Sequence, residues 1–467
     1  MHEKKNGLVA KVFMATICAI STAYGAGGIA VIRVSGEQAV SIVDSLFTGR
    51  VALRDAAANT IHFGRIQKTG RFADRVQTEV LDEVLCSVFR APHSFTGEDT
   101  VEIACHGSLY IQQEMLRWLI DAGCKAAEPG EFTRRAFLNG KIDLTQAEAV
   151  ADLIAAQSKA EKDLALSQLR GSVSNELASL RERLLHFTSL IELELDFADH
   201  EELEFADRSE LTQLADEIEN KLAALMASFR TGNAIRNGIP VAIIGAPNVG
   251  KSTLLNALLG EQRAIVSDIQ GTTRDTIEDT LIIDGILFRL IDTAGLRETN
   301  DMLENMGIER SRKAAETAQI IVQVDEPTSN PSLKGRELED IKGTIIHVLN
   351  KSDLLDGCSL QGETNGSRLL ISAKNGEIEP LKRELVRIAR ASMDTSAVML
   401  SNARHYAAIT RAHEAIVRVQ EGMNQGLSGE LLSMDLQDCL SALGEVTGQI
   451  TNAEVLSNIF SKFCIGK

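Results

Sequence analysis

Positive charge is in short supply in this sequence: 48 Lys and Arg stand against 65 Asp and Glu, and the formal net charge is −17. This balance argues against a generally basic, nucleic-acid-binding surface. An acidic protein can still handle RNA through a local patch or through a basic partner, so the charge alone does not exclude an RNA substrate.

Cysteine pairs at metal-ligand spacing are also absent. The seven cysteines are scattered along the chain and form no CxxC pair. Such a pattern suits free thiols in a reducing compartment better than a disulfide framework or a zinc site. We therefore expect a cytoplasmic protein.

Long apolar runs are missing as well, so a membrane span is not expected. The stretch Val12 to Ile20 follows Lys4 and Lys5 and imitates a signal peptide. The alternative is a first β-strand that continues through Gly27-Gly28 into Ile29–Ile32. We favour the strand, because Ala, Thr and Cys dilute the apolar stretch.

The chain divides into segments with different patterns. Residues 1–140 alternate β-rich runs with turn clusters, as in a compact α+β domain. Residues 141–235 carry helix formers at a spacing of three to four, with almost no Gly or Pro. Residues 236–392 alternate strands and helices as in a doubly wound sheet, and residues 393–467 are helical again. We predict one discontinuous helical domain, interrupted by an inserted α/β domain.

Particular elements follow from the same patterns. The expected elements of the first domain are strands Ile29–Val34, Glu83–Phe89 and Thr100–Cys105 and helix Leu109–Ala122. The expected junctions of the inserted domain are the segments Gly232–Gly238 and Ser392–Ser396.

A phosphate-binding motif opens the inserted domain. The segment Gly245-Ala246-Pro247-Asn248-Val249-Gly250-Lys251-Ser252 fits GxxxxGKS, and it lies between the apolar strand Ile239–Ile244 and the helix Thr253–Leu259. Glycines let backbone N–H groups wrap around phosphate oxygens at a helix N-terminus. Lys251 adds charge at the β- and γ-phosphates, and the Ser252 hydroxyl can ligate Mg²⁺.

The remaining motifs of a Ras-like P-loop G domain follow in order. They are Gly271-Thr272-Thr273-Arg274, Asp292-Thr293-Ala294-Gly295 after strand Leu287–Ile291, Asn350-Lys351-Ser352-Asp353 after strand Thr344–Leu349, and Ser372-Ala373-Lys374 after Leu369–Ile371. Thr273 is the expected hydroxyl that senses Mg²⁺ and the γ-phosphate. The Asp353 carboxylate can accept both N1–H and the exocyclic amine of guanine, which adenine does not offer in that arrangement. The sequence therefore predicts a GTPase.

The group that orients the attacking water is less obvious. Many small GTPases place a glutamine after the DxxG glycine, but Leu296 stands there. Glu304, in the following polar segment, is a candidate, and an ordinary surface carboxylate is the alternative. No arginine finger in cis is apparent, so a cation or a partner is expected to supply the missing charge.

Several motifs lie outside the G domain. They are Ile29–Gly36, Ser94-Phe95-Thr96-Gly97-Glu98-Asp99, Cys105-His106-Gly107, Pro129–Lys141 and the terminal Cys464-Ile465-Gly466-Lys467. With them, the chain from about Met14 onward resembles the MnmE (TrmE) family of tRNA-modification GTPases. The terminal tetrapeptide is the most specific single feature. Residues 1–13 precede the resemblance and look like an extension.

The resemblance implies a reaction and partners. With the FAD- and NADH-dependent partner MnmG, family members add a (carboxymethyl)aminomethyl group to C5 of the wobble uridine (U34) of certain tRNAs. The one-carbon donor is a tetrahydrofolate derivative, 5-formyl- or 5,10-methylene-tetrahydrofolate, which the N-terminal domain binds. That domain also forms a homodimer, and the dimer joins MnmG in a heterotetramer. By position, Arg33, Glu102, Lys141 and Lys467 match the folate contacts.

The resemblance also accounts for the missing glutamine. Family G domains dimerise in a K⁺-dependent way, and K⁺ supplies the charge of an arginine finger. The matching K⁺ positions are Asn248, Ser267, Ile269 and Thr272, and the Mg²⁺ positions are Ser252 and Thr273. Glu304 matches the residue that positions water, so with Lys251 it is expected to act in hydrolysis. Cys464 matches a proposed nucleophile of the modification, or is a dispensable thiol.

The complete set of expected GTP contacts is longer. It comprises Asn248, Val249, Gly250, Lys251, Ser252, Thr253, Ser267, Asp268, Ile269, Gln270, Gly271, Thr272, Thr273, Asp292, Thr293, Ala294, Gly295, Asn350, Lys351, Asp353, Ser372, Ala373 and Lys374.

Two other functions stay open at this point. A regulatory or ribosome-assembly GTPase would share the G domain, although such proteins usually add a basic RNA-binding module. A folate-dependent aminomethyl carrier with vestigial GTP hydrolysis is the third alternative.

Overall fold

The computed structural model describes residues 15–72, 75–196, 208–261, 279–291, 313–327, 343–354, 368–392 and 398–466. The chain forms two compact units: one comprises Met1–Ala151 with Thr447–Lys467, and the other comprises Asp152–Val446. No helix among the described residues is long and apolar enough to cross a membrane. The predicted domain boundaries stay predictions.

The first unit contains a seven-stranded sheet with the order β3-β4-β5-β6-β2-β1-β7. Its strands are β1 (Ile17–Ile20), β2 (Ile29–Ser35), β3 (Phe47–Gly49), β4 (Thr60–Phe72), β5 (Arg75–Phe89), β6 (Thr100–His106) and β7 (Lys125–Ala126). Neighbouring strands are antiparallel, except that β1 pairs with β7 in parallel. The three predicted strands of this domain are therefore confirmed within β2, β5 and β6. The predicted N-terminal strand is confirmed from Ile17 to Ile20.

Helices pack on both faces of this sheet. The helices of the unit are α1 (Ala39–Leu46), α2 (Leu109–Asp121), α3 (Glu131–Leu138), α4 (Leu144–Ala155, to Ala151 in this unit) and α12 (Ala453–Phe460). Helices α1 and α2 pack on one face, and α3 packs on part of the other face through Phe132. Alternate β2 residues such as Ile32 and Val34 are fully buried against Val43 and Met115. Helix α2 confirms the helix predicted at Leu109–Ala122.

The second unit combines a helical part with a second sheet. Its helices are α5 (Lys159–Leu169), α6 (Ser172–Asp196), α7 (Arg208–Asn237), α8 (Lys251–Glu261), α9 (Glu379–Ser392), α10 (Ala403–Asn424) and α11 (Gly429–Thr447, to Val446 in this unit). Buried apolar residues of α6, α7, α10 and α11 form one core. The apolar spacing of three to four that predicted helices produces this shared core.

Helix α7 extends beyond the glycine at which a junction was expected to begin. Gly232 lies within α7, which ends at Asn237. A Cβ atom at Gly232 would lie 2.2 Å from the carbonyl oxygen of Leu400. The glycine therefore permits the close approach of a neighbouring segment and does not end the helix, so only the last residue of the predicted Gly232–Gly238 junction is outside it.

Among the residues that the structure describes, the second sheet has six strands in the order β13-β12-β11-β8-β10-β9. They are β8 (Ile239–Ile244), β9 (Asp279–Ile283), β10 (Ile286–Ile291), β11 (Ile320–Asp325), β12 (Thr344–Leu349) and β13 (Arg368–Leu370). Within the described part of the chain, β9 alone is antiparallel to its neighbour in this sheet. The doubly wound pattern predicted an arrangement of this kind, in which parallel strands deliver their following loops to one edge.

Candidate nucleotide and folate sites

Three predicted nucleotide motifs follow parallel strands of the second sheet. The P-loop follows β8, Asn350 follows β12, and Ser372 comes shortly after β13. Because these strands are parallel, their carboxyl ends lie at the same edge of the sheet. The topology therefore brings together segments that are distant in the chain.

The P-loop has the backbone of an anion-binding turn. Asn248 and Gly250 have positive φ values of 65° and 93°, and helix α8 begins at Lys251. Successive N–H groups in such a turn, next to a helix N-terminus, form a concavity that favours anions. Lys251 Nζ donates hydrogen bonds to the carbonyl oxygens of Gly245 (2.9 Å) and Ala246 (2.7 Å). Burial lowers the pKa of Lys251. A bound phosphate anion would raise this pKa again, because a nearby negative charge favours the ammonium form.

Asn350 connects the P-loop to the Ser372–Lys374 loop. Its side chain is buried, and its Nδ2 donates a 2.9 Å hydrogen bond to the carbonyl oxygen of Val249. Its Oδ1 accepts a 3.0 Å hydrogen bond from the backbone N–H of Ala373. At Gly250, a Cβ atom would lie 2.3 Å from Asn350 Nδ2. The contact therefore requires a glycine at that position.

Asp353 is held as an ionised acceptor. Ser372 Oγ donates a 2.7 Å hydrogen bond to Asp353 Oδ1. This hydrogen bond, aided by the positive charges of Lys374 and Lys351, lowers the pKa of Asp353. Lys351 itself has a positive φ of 66° and pairs with Glu326. A carboxylate fixed in this way can accept two N–H groups from one guanine edge.

Part of the expected nucleotide site lies outside the described residues. This applies to Ser267, Asp268, Ile269, Gln270, Gly271, Thr272, Thr273, Asp292, Thr293, Ala294, Gly295 and Glu304. Their expected contacts with GTP, Mg²⁺, K⁺ and water stay predictions. Ser252 and Thr253 lie in the first turn of α8.

In the first unit, Arg33 and Glu102 form an ion pair across two neighbouring strands. They are register partners on β2 and β6. Arg33 donates from Nε (2.9 Å) and Nη2 (2.8 Å) to the same oxygen, Glu102 Oε1. The Arg33 guanidinium carbon also lies 5.5 Å from the ring centroid of Phe95 and 5.6 Å from that of Phe132. Two predicted folate contacts are thus adjacent on an aromatic surface.

Lys141 reaches the loop that carries Phe95. Its Nζ donates a 2.9 Å hydrogen bond to the carbonyl oxygen of Pro92. Its Cγ lies 3.2 Å from the position that a Cβ atom of Gly97 would occupy. The segment Pro92–Glu98 therefore contacts both Arg33 and Lys141. A guanidinium, a carboxylate and an ammonium group beside an aromatic ring fit a ligand with both a heterocyclic ring and carboxylates.

The C-terminal tail docks on the same unit. Ser21 Oγ donates a 3.1 Å hydrogen bond to the carbonyl oxygen of Gly466, and the Gly130 N–H donates one of 3.3 Å to that of Cys464. The Cys464 side chain is exposed. Ser21 follows β1, the neighbour of β2, and Gly130 is the N-cap residue of α3, which carries Phe132. Lys467 lies outside the described residues.

Comparison with known proteins adds the decisive observation. The family model for the GTP-binding protein TrmE N-terminus matches residues 16–141, and that for the MnmE helical domain matches residues 144–464. A tRNA modification GTPase MnmE of Parabacteroides distasonis is 54% identical over 97% of this chain and 100% of its own length. This chain belongs to the MnmE family of tRNA modification GTPases.

Two further MnmE proteins give the same result. The tRNA modification GTPases MnmE of Phocaeicola vulgatus and Bacteroides thetaiotaomicron are each 50% identical over 97% of the chain and 99% of their own length. Among solved structures, the FeoB G domain of Methanococcus jannaschii matches 32% of this chain and 96% of its own, with 24% identity and a TM-score of 0.24. The G domain of the T. maritima FeoB iron transporter matches 32% of this chain and 98% of its own, with 26% identity and a TM-score of 0.23.

Membership of the MnmE family confirms the predicted family, fold class and enzyme class. The sequence interpretation did not identify Phe95 and Phe132 as neighbours of Arg33. Both phenylalanines lie inside motifs that carried the family resemblance, Ser94–Asp99 and Pro129–Lys141. The presence of an aromatic residue in each of these motifs was therefore the signal that could have identified Phe95 and Phe132 as part of the site.

Proposed function

We propose that this chain is a GTP-hydrolysing enzyme of tRNA wobble-uridine modification. With an FAD-dependent partner of the MnmG type, which uses NADH, it adds a (carboxymethyl)aminomethyl group to C5 of U34 in certain tRNAs, and a tetrahydrofolate derivative donates the one-carbon unit. The observation that carries the proposal is the full-length similarity to tRNA modification GTPases. The chain also contains the Asn350 contact with the P-loop and the Arg33–Glu102 pair of the candidate folate site.

The nucleotide would bind along the carboxyl edge of the second sheet. The P-loop N–H groups and Lys251 would hold the phosphates, and Asp353 would accept the guanine N1–H and amine. The Asn350 bridge supports this assignment, because it fixes the distance between the phosphate-binding and base-binding loops. Ser252 and Thr273 would hold Mg²⁺, which neutralises developing phosphate charge when bound.

The missing arginine finger would be replaced by K⁺. Asn248 and the backbone carbonyls of Ser267, Ile269 and Thr272 would hold the ion, and Glu304 would position water. Equal GTP turnover in KCl and NaCl would contradict this part of the proposal. The expected result is faster turnover in KCl, with the difference lost in Asn248→Ala.

The N-terminal unit would bind the folate. Arg33 and Lys141, with Lys467, would bind its carbonyl or carboxylate groups, and Glu102 would accept from N–H groups of the pterin. The docked tail would hold Cys464 close to the strand next to Arg33, which supports a role for its thiol in the modification.

Exposed apolar residues on one face of the first sheet support a homodimer. Phe63, Leu85, Ala104 and Val31 are register partners across four adjacent strands. Phe63 is 63% exposed and Leu85 47% exposed. An apolar row of this kind is typical of a face that another surface covers, and a second copy is the occupant that the family resemblance implies.

The remaining partners are tRNA and the flavoprotein, in a heterotetramer. The free buried cysteines fit a reducing compartment, so we place the protein in the cytoplasm. The direct test of the activity is reconstitution with the partner flavoprotein, tRNA, GTP and methylene-tetrahydrofolate. Mass spectrometry of the tRNA nucleosides should show the C5 modification only when this chain is present.

A further inference from the structure

The Arg33–Glu102 pair leaves polar atoms available for a ligand. Both donors that Arg33 uses point to Glu102 Oε1. Among the described residues, Arg33 Nη1 and Glu102 Oε2 have no hydrogen-bond partner. The pair therefore presents an N–H donor and a carboxylate acceptor, a combination that complements the adjacent carbonyl and N–H of a pterin ring.

An arginine side chain has many rotamers, so other contacts are needed to keep the Arg33 guanidinium in this orientation. Arg33 is about a fifth exposed, and the Glu102 contact occupies only one edge of its guanidinium. The Phe95 and Phe132 rings lie at the distances typical of a cation–π interaction. Phe132 is fully buried in the core, whereas Phe95 is 39% exposed. Phe95 is therefore the partner ring that also borders the space open to a ligand.

The residues on both sides of Phe95 are anchored. Ser94 Oγ donates a 2.5 Å hydrogen bond to the carbonyl oxygen of Glu98. Thr96 is fully buried, with its Oγ1 2.7 Å from Ser35 Oγ, and its carbonyl oxygen accepts a 2.7 Å hydrogen bond from Asn139 Nδ2. A half-exposed phenylalanine on a backbone held this firmly is a fixed surface.

Buried charges hold the same loop in place. Arg135 is 1% exposed, and its Nη1 donates to both carboxylate oxygens of Glu98, at 3.2 and 3.1 Å. Its Nη2 donates to Glu131 and to the carbonyl oxygen of Ala15. Because Arg135 is buried, breaking its ion pairs would be costly, and these contacts hold the loop with Phe95 beside Arg33.

We propose that Phe95 is a positioning residue of the folate site, which holds the Arg33 guanidinium so that it and Glu102 face the pterin ring of a reduced folate together. The proposal rests on the folate assignment made above. It adds that the aromatic ring at position 95, and not only its bulk, contributes to affinity through Arg33.

Isothermal titration calorimetry with 5-formyltetrahydrofolate tests the proposal. Phe95→Leu keeps an apolar side chain and removes the ring, and we expect Kd to rise about fivefold, the size of a cation–π contribution. Phe95→Tyr keeps the ring and should stay within about twofold of wild type by the same reasoning. Tyr110→Leu, at an exposed aromatic residue of α2 in the same unit, is the matched control and should leave Kd unchanged.

A double-mutant cycle with Arg33→Ala shows whether Phe95 acts through Arg33. Phe95→Leu should cause no further loss of affinity in the Arg33→Ala background. Wild-type affinity in Phe95→Leu, or an equal loss in both backgrounds, would overturn the inference. An equal rise in Kd in Phe95→Leu and Phe95→Tyr would also overturn it. If the wild-type protein itself binds no 5-formyltetrahydrofolate, the folate assignment fails, and the role of Phe95 fails with it.

Discussion

The side-chain amide of Asn350 donates a 2.9 Å hydrogen bond to the carbonyl oxygen of Val249. Through this contact the residue that begins the guanine motif also supports the P-loop. The same amide accepts a hydrogen bond from Ala373 N–H. Phosphate recognition and base recognition therefore depend on one buried side chain.

Replacing Asn350 with alanine should weaken both stability and nucleotide binding. Two buried backbone groups would lose their partners, at about 1–3 kcal/mol each. We expect a lower melting temperature and a Kd for a fluorescent GDP analogue raised at least about tenfold, since tenfold corresponds to about 1.4 kcal/mol. Asn375→Ala, at an exposed asparagine of the same loop, is the control. Unchanged nucleotide affinity in Asn350→Ala would contradict the bridging role.

Ser372→Ala should move the pH dependence of guanine binding. The Ser372 hydrogen bond is the main cause of the lowered pKa of Asp353. A lowered pKa keeps the carboxylate ionised as the pH falls, so losing the bond should raise that pKa and shift the acid limb of GDP affinity to higher pH. Ser372→Thr, which keeps a hydroxyl, should retain the wild-type profile. Identical acid limbs in wild type and Ser372→Ala would count against the hydrogen bond.

Cys464 should be the first of the described cysteines to react with iodoacetamide. Its thiol is exposed, whereas Cys18, Cys86, Cys105, Cys124 and Cys439 are buried. Burial raises the pKa of Cys86 and of Cys439 to about 12 and is the main cause that raises that of Cys105 to about 11. Since the thiolate is the nucleophile, these thiols should react at least about tenfold more slowly at pH 8.

Peptide mass spectrometry after timed alkylation provides the measurement. In a denaturant all of these cysteines should react at similar rates, which is the control for intrinsic reactivity. Cys358 lies outside the described residues, so it carries no expectation. Alkylation of Cys86 or Cys439 as fast as Cys464 in the native protein would contradict the burial.

Gly466→Ala should release the C-terminal tail. Gly466 has a positive φ of 91°, and a Cβ atom there would lie 2.1 Å from the carbonyl oxygen of Ile20. An alanine cannot occupy that space without displacing the strand or the tail. The amide of Gly130, which donates to Cys464, should then exchange faster with deuterium.

Gly426→Ala is the matched control for this substitution. Gly426 also has a positive φ, of 69°, but a Cβ atom there would meet nothing within 4 Å beyond its chain neighbours. Its substitution brings the same kind of backbone strain without the clash. Equal exchange at Gly130 in wild type and Gly466→Ala would mean that the tail does not depend on this glycine.

The buried parallel strands could be predicted from the sequence. The predicted strands Ile239–Ile244 and Thr344–Leu349 coincide with β8 and β12. Each is a short apolar run followed directly by a polar motif, which is typical of a strand in a doubly wound sheet. Because the nucleotide motifs follow such strands, they could be expected to lie together at the carboxyl edge of the sheet.

Strand β4 was harder to predict because its exposed side is not polar. Ile61 and Phe63 are more than 60% exposed, and Gly64, between Phe63 and Arg65, interrupts the alternation expected of a strand. Gly64 is required there because a Cβ atom would lie 2.4 Å from the Phe47 ring. A contact with a residue on another strand leaves no trace in the local pattern.

The surroundings of Arg33 show the same limit. Its register partner Glu102 depends on strand pairing, and Phe95 and Phe132 come from a loop and a helix elsewhere in the chain. The motifs identified the candidate residues through a family resemblance. Only the tertiary structure places them against one another.

The central claim is that this chain links a GTPase to tRNA modification, and nucleosides from a deletion strain test it most directly. Liquid chromatography with mass spectrometry should find the C5-modified wobble uridine missing in the deletion strain and restored by the wild-type gene. Lys251→Ala, which removes the P-loop cation, should fail to restore it. An unchanged amount of the modified nucleoside in the deletion strain would contradict the account.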